Sequence, residues 1–165
     1  MDSHEHLDGT PRHPRWGKVS ANPREHHFLH GSRSMLTDGL EVVRIGWDYV
    51  RGFAALKDIG ACVTVFGSAR FHENHPYYHL ARRTGASLAQ AGFTVMTGGG
   101  PGIMEAANRG AWDVDGTSVG VNIELPHEQK PNDYLDIWMN LQYFHVRKVM
   151  LIKYSYGFIV MPGGY

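Results

Sequence analysis

The sequence predicts an α/β fold, a doubly wound parallel sheet flanked by helices. Short apolar runs rich in β-branched residues alternate along the chain with longer segments of helical period. Small-residue turns end three of these runs. Strands that are separated by helices imply a parallel sheet with right-handed crossovers. A ligand site is then expected beyond the carboxyl ends of the strands.

Size and composition limit the organisation of the chain and its partners. With 165 residues, of which 42% are hydrophobic, it can bury one core. We therefore expect one domain over residues 35–165, preceded by a flexible extension over residues 1–34 that is rich in His, Pro, Gly, Ser and Arg. The 16 Lys and Arg balance 16 Asp and Glu, so nothing favours nucleic acid or a membrane surface as a partner. Lacking a long apolar segment and a signal-peptide pattern, the protein is expected to be cytoplasmic.

Cysteine and histidine give no metal-site prediction. Cys62, the single cysteine, lies in an apolar run, where a small buried strand residue is the favoured interpretation and a catalytic thiol the weaker one. Six of the eleven histidines fall within residues 1–34, at spacings that match no closed zinc site. A solvated arm, or a segment that packs on a partner subunit, is the preferred interpretation of that region.

The first predicted element is an amphipathic helix that begins near Thr37 and ends near Gly60. Its apolar positions recur every three or four residues: Leu40, Val43, Trp47, Val50, Phe53, Ala54 and Leu56. The helix could cover the sheet or form a dimer face.

Strands and helices alternate over the rest of the chain. The predicted strands are 61–66, 92–97, 117–123, 135–141 and 156–161. The predicted helices between them are 76–91, 103–112 and 143–154. A polar loop over residues 124–131 follows the third strand and contains Glu128.

Three glycine turns follow strands at the expected ligand edge. Without a Cβ, backbone N–H groups can approach an oxyanion, and the helix that begins at Ile103 adds its positive end. Together the turns predict a phosphate-binding site. The candidate residues are Ser68, Gly98, Gly99, Gly100, Gly163 and Gly164.

Each glycine turn taken alone is as readily a tight connection between elements. Residues 98–102 follow the second strand and do not match the dinucleotide fingerprint G-x-G-x-x-G of a first βα unit. They also lack the Gly-Lys-Ser/Thr ending of a Walker loop. Dinucleotide and ATP binding are therefore disfavoured.

Four charged residues are further candidates. Glu105 lies in the first turns of a helix, where the macrodipole favours a carboxylate, or it points into the crevice and contacts a sugar hydroxyl. Glu128 is the other acid near the expected site. Arg147 and Lys148 are adjacent on a helix and about 100° apart, so one is expected to reach the ligand while the other stays half solvated. The alternative for this pair is a solvated basic face.

Three segments in order, Gly98–Ala111, Phe144–Lys148 and Met161–Tyr165, resemble the LOG family, whose members were often misnamed lysine decarboxylases. The resemblance implies a Rossmann-like fold, usually in a homodimer, and no pyridoxal phosphate or other cofactor. It also implies hydrolysis of the N-glycosidic bond of a nucleoside 5′-monophosphate, either a cytokinin riboside 5′-monophosphate or AMP. The products are the free base and ribose 5-phosphate.

The resemblance assigns roles to individual residues. Arg147 matches the catalytic arginine, Lys148 its neighbour in the binding site, and Glu128 an acidic substrate contact. Gly163 and Gly164 begin a Pro-Gly-Gly-x-Gly-Thr-x-x-Glu motif whose remainder would follow Tyr165, so we expect the domain to be incomplete at its C-terminus. The alternative function is a nucleotide or phosphorylated-cofactor carrier that uses the same crevice without cleavage.

Overall fold

The computed structural model describes residues 35–123 and 130–163. The predicted extension over residues 1–34, and the candidates Glu128 and Gly164, lie outside this range. The helices are α1 (Met35–Leu56), α2 (Pro76–Gln90), α3 (Ile103–Trp112) and α4 (Phe144–Lys153). The strands are β1 (Cys62–Phe66), β2 (Thr94–Thr97), β3 (Ser118–Ile123), β4 (Ile137–Leu141) and β5 (Ser155–Val160).

The five strands of the described residues form one parallel sheet in the order β4-β3-β2-β1-β5. The chain moves outward from β1 to β4 and then returns to place β5 on the other side of β1. This reversal confirms the predicted doubly wound, Rossmann-like α/β fold. The carboxyl ends of all five strands share one edge, and the order reverses between β1 and β5, where this topology opens a crevice.

Apolar side chains cover both faces of the sheet. On one face, α1 and α4 pack over Cys62, Met96 and Val121, while on the other α2 and α3 pack over Val65 and Val95. Cys62 is fully buried, and burial raises the pKa of its thiol to about 12. The thiol is therefore protonated at neutral pH, and its place in the core confirms the prediction of a small buried strand residue.

The helix α1 differs from the sequence prediction in the side it buries. Most of its predicted apolar face is exposed, with Trp47 64% and Val43 70% accessible. The buried residues are instead Glu41, Asp48, Gly52 and Leu56. The helix does cover the sheet, as one of the two predictions has it, but with the side that carries Leu56 and the two buried acids, whose hydrogen-bond partners lie at the beginning of α4. The alternative, a contact with another molecule, stays a prediction.

No helix within the described part of the chain combines the length and the apolar character needed to cross a membrane.

Candidate functional site

The three glycine turns meet at the carboxyl edge of the sheet. The amide of Ile103, the first residue of α3, donates a hydrogen bond to the carbonyl of Ser68 in the turn after β1. That distance is 3.0 Å. A Cβ placed on Gly102 would lie 2.6 Å from the same carbonyl oxygen, and one placed on Gly163 would lie 2.5 Å from the Cβ of Ser68. The turn after β1 therefore contacts the other two, as the sequence predicts.

The glycine turn after β2, residues 98–102, is tightly packed. Gly98, Gly99 and Gly100 are buried, and Gly99 and Gly102 have φ values of 74° and 72°, a conformation that favours glycine. The backbone of Gly99 approaches Gly120 closely, and a Cβ on Gly98 would overlap the guanidinium of Arg147. Close packing alone thus explains Gly98, Gly99 and Gly102, whatever the turn binds.

A buried polar network, which the sequence did not predict, holds this turn in place. The hydroxyl of Thr97 donates to Asn108 Oδ1 at 2.6 Å, and Asn132 Nδ2 donates to the same oxygen at 3.1 Å. The amide of Asn132 donates to the carbonyl of Gly99 at 3.0 Å. One signal was available in the sequence, because Asn108 is a polar residue on a helix face otherwise lined by Ala107 and Ala111.

Arg147 lies directly against the glycine turn. Its Nε donates to the carbonyl of Val121 at 2.8 Å, and its Nη2 approaches Gly98. None of the ion pairs among the described residues includes this arginine. Burial lowers the pKa of the guanidinium, which nevertheless stays charged at neutral pH. The site therefore contains a half-buried positive charge with hydrogen-bond donors left over for a ligand.

Lys148 points elsewhere, as the 100° step between adjacent helical residues requires. Its side chain is exposed, and its ammonium lies 4.7 Å from the centre of the Phe144 ring. Of the two basic residues, the structure brings only Arg147 to the glycine turn.

A second part of the edge, on the α3 side of the sheet, is rich in acids. A cavity of about 390 Å³ lies there, lined by Glu73, Pro101, Glu105, Lys130, Pro131, Asn132, Asp133 and Tyr134. The hydroxyl of Tyr78 donates to Glu105 Oε1 at 2.7 Å. Burial, and then the bond to Glu105, raise the pKa of Tyr78 to about 12, so this phenol stays a donor. Glu105 therefore lines the cavity while it is held by a protein partner.

Arg109 is a second cation of this region, in addition to Lys130, and it is paired with a carboxylate. Its Nη1 lies 2.7 Å from Glu73 Oε1, and its guanidinium carbon lies 5.1 Å from the centre of the Tyr134 ring. Within residues 35–123 and 130–163, no group of three or more His, Cys, Asp or Glu side chains is arranged to hold a metal ion.

The geometry suits an anion on the Arg147 side of the edge. The first amides of a helix have no carbonyl acceptor within it, and the amides of Met104 and Glu105 stand at this position in α3. The positive end of α3 and the guanidinium of Arg147 thus both border the glycine turn. A phosphate is the biological anion that best matches such donors.

Solved structures of cofactor-binding proteins are similar to this chain. The molybdenum cofactor carrier protein of Chlamydomonas reinhardtii is 25% identical with a TM-score of 0.54, and the similarity covers 63% of each chain. The molybdenum cofactor binding protein of Rippkaea orientalis is 25% identical with a TM-score of 0.53, over 64% of each chain. In both comparisons the chain spans less than two thirds of the length of its neighbour.

Sequence comparisons give one relative and one family. An uncharacterised protein of Archaeoglobus fulgidus is 34% identical over 89 residues, which cover 53% of this chain and 57% of that protein. The model of the SLOG cluster4 family matches residues 61–165, which include all five strands and Arg147. From this match over more than half of its length, we conclude that the chain belongs to the SLOG cluster4 family.

Proposed function

We propose that this protein binds a phosphorylated small molecule, a nucleotide or a phosphorylated cofactor, at the carboxyl edge of its sheet and carries it without cleavage. The observation that supports the proposal is the guanidinium of Arg147, which lies against Gly98 and has only a backbone carbonyl as its hydrogen-bond partner among the described residues. The similarity to two molybdenum cofactor binding proteins supports a carrier role.

Electrostatics favour this assignment of the ligand class. A buried cation without an acidic partner is unfavourable, and a bound phosphate would supply the missing negative charge. Charge-assisted bonds from arginine to phosphate are also strong and directional. The cavity beside Glu105 and Lys130 then provides room for the non-phosphate part of the ligand, with carboxylate acceptors for its hydroxyl or amine groups.

Calorimetry on the protein expressed from its full reading frame tests this function. Three ligands are compared: AMP, adenosine and the molybdenum cofactor. A phosphate-binding carrier binds AMP or the cofactor more tightly than adenosine, and chromatography afterwards recovers the ligand unchanged. Equal and weak binding of all three ligands would overturn the proposal.

Hydrolysis of a nucleoside 5′-monophosphate is a second candidate function. It is favoured by the position of Arg147 in the segment Phe144–Lys148 that resembles the LOG family, since a cation beside the phosphate can also stabilise developing charge. The test follows release of free base from AMP and from isopentenyladenosine monophosphate, with Arg147→Ala as the control. Release that is absent from both substrates excludes this candidate and leaves the carrier.

We also propose that the protein forms a homodimer through the outer face of α1, which is the exposed apolar side of that helix. The face consists of Leu36, Leu40, Val43, Trp47, Val50 and Phe53. These large apolar side chains are 38% to 83% exposed, and burial against a partner would remove them from water. A Cβ added at Gly39 or Gly46 would have no atom of the described residues within 4 Å, which leaves room for a second helix. A second copy supplies a matching apolar face across a two-fold axis.

Sedimentation of Trp47→Glu tests the dimer. Trp138→Glu is the matched control, because Trp138 on β4 is 53% exposed and lies away from this face. Trp47→Glu is expected to sediment as a monomer, while the control and the unmodified protein sediment as dimers. A monomeric unmodified protein contradicts the proposal.

A further inference from the structure

The helix that carries Arg147 begins without a cap of its own. Tyr143 precedes α4, and its side chain makes no capping hydrogen bond. Instead, Oδ2 of Asp48 in α1 accepts the amides of Gln142 at 2.7 Å and of Tyr143 at 3.3 Å. Asp48 is 2% exposed and lies 94 residues before Gln142 in the sequence. A buried carboxylate from a distant helix thus stands at the positive end of α4.

A second carboxylate of α1 holds the same turn. Oε2 of Glu41 accepts the hydroxyl of Tyr143 at 2.5 Å, and Oε1 accepts Arg44 Nη1 at 2.5 Å. Tyr143 is fully buried, and burial together with Glu41 raises its pKa to about 12, so the phenol stays protonated. Glu41 and Asp48 are two helical turns apart on one side of α1, and both therefore reach residues 142 and 143.

Arg147 lies one helical turn after Tyr143. Its amide donates to the carbonyl of Tyr143 at 3.1 Å, which is the first bond of α4. Its guanidinium is confined between the carbonyl of Val121 and the backbone of Gly98. A displacement of residues 142 and 143 therefore moves Arg147 relative to the glycine turn.

We propose that Asp48 and Glu41 are positioning residues, which fix the start of α4 and thereby aim Arg147 at the ligand's phosphate. This inference rests on the proposed role of Arg147 in anion binding. It assigns a function to α1, which lies outside the residues 61–165 that the family model matches.

The experiment compares AMP affinity, by calorimetry on the full-length protein, between Asp48→Ala and a structural control. Asp48→Ala is expected to weaken AMP binding about tenfold, the value of one hydrogen bond to a charged group. Asp48→Asn keeps an acceptor oxygen and is expected to lose less. The control, Thr94→Val, removes a buried hydroxyl bond of 2.5 Å to the carbonyl of Ile59 at the opposite end of β2. It should lower the melting temperature and leave AMP affinity unchanged.

A double-mutant cycle separates positioning from general destabilisation. In the Arg147→Ala background, Asp48→Ala is expected to have no further effect on AMP affinity, because the residue it positions is gone. An additive loss, or wild-type affinity in folded Asp48→Ala, overturns the inference. If Asp48→Ala does not fold, Tyr143→Phe replaces it and must show the same lack of additivity.

Failure of the underlying function gives a different result. If the unmodified protein binds neither AMP nor the molybdenum cofactor more tightly than adenosine, the phosphate-binding proposal falls and the inference falls with it. If the unmodified protein prefers AMP to adenosine but Arg147→Ala binds AMP as tightly as the unmodified protein does, the phosphate site lies elsewhere. That result refutes the positioning role of Asp48 but not phosphate binding.

Discussion

Arg109 and Arg147 lie near the same edge of the sheet but in opposite electrostatic situations. Arg109, on the α3 side, is 2.7 Å from a carboxylate of Glu73 and lies over the ring of Tyr134. Arg147, on the α4 side, donates to the carbonyl of Val121 and has no carboxylate partner among the described residues. A neutralised arginine joins parts of the structure, whereas one that lacks an acid and borders glycines is available to an anion.

Removal of each arginine is the strongest test of this difference. Arg147→Ala is expected to weaken AMP binding by about 10- to 100-fold, since bonds to a charged group contribute about 1.5–3 kcal/mol. Arg109→Ala is the matched control and is expected to change the affinity less than about threefold, because its charge already has partners. Calorimetry at one salt concentration measures both. Equal losses in the two variants would remove the distinction.

Gly98→Ala tests whether the glycine turn and Arg147 act together. A Cβ at Gly98 would overlap Nη2 of Arg147 and lie 2.9 Å from Sδ of Met104, so the guanidinium must move. We expect about a tenfold loss of AMP affinity, comparable to the loss of one charged hydrogen bond. Gly157→Ala is the control, because a Cβ there has no atom of residues 35–123 and 130–163 within 4 Å. Unchanged binding in Gly98→Ala would show that Arg147 does not depend on this turn.

For the free energy of unfolding, we expect Arg109 to contribute more than Arg147, the opposite of their order in AMP binding. Arg109→Met removes an ion pair and a cation–π contact, and is expected to lower the free energy of unfolding by about 1 kcal/mol. Arg147→Met replaces a buried, unpaired cation with an apolar side chain, and is expected to be neutral or slightly stabilising. Urea unfolding monitored by circular dichroism gives both values. Greater destabilisation by Arg147→Met would mean that Arg147 is the structural residue of the two.

The sequence predicted the frame of the site better than its contacts. Apolar runs and glycine turns placed every strand and helix to within about two residues, except for the end of α1, and brought three turns to one edge, because these signals are local. Periodicity also separated Arg147 from Lys148. Periodicity could not reveal that Arg147 has no carboxylate partner among the described residues. That property depends on the residues that α3 and β3 place around the guanidinium.

The orientation of α1 shows why the remainder could not be predicted. Helical period identifies the apolar side of a helix, but it does not identify which surface that side contacts. Glu41 and Asp48 are buried because Tyr143 and the amide of Gln142 lie opposite them, about a hundred residues later in the chain. A partner so distant in sequence leaves no spacing pattern.

The smallest expected effect concerns two buried tyrosines, one on each side of the edge. Tyr78 is bonded to Glu105 on the Arg109 side, and Tyr143 to Glu41 on the Arg147 side. Burial, with the nearby carboxylate, raises the pKa of each phenol from its ordinary value of 10.0 to about 12. Above pH 10 the unfolded chain releases protons that the folded chain retains, so the free energy of unfolding falls as the pH rises towards 12.

Urea unfolding between pH 8 and pH 11 should therefore show a stability that declines above about pH 10, and more gently in Tyr143→Phe or Tyr78→Phe. The two variants differ in function. Tyr143→Phe also weakens AMP binding, since it frees the turn before Arg147, whereas Tyr78→Phe leaves the start of α4 intact and should lose less affinity. If both variants lost affinity equally, the separation between a structural and a ligand-binding arginine would have to be abandoned.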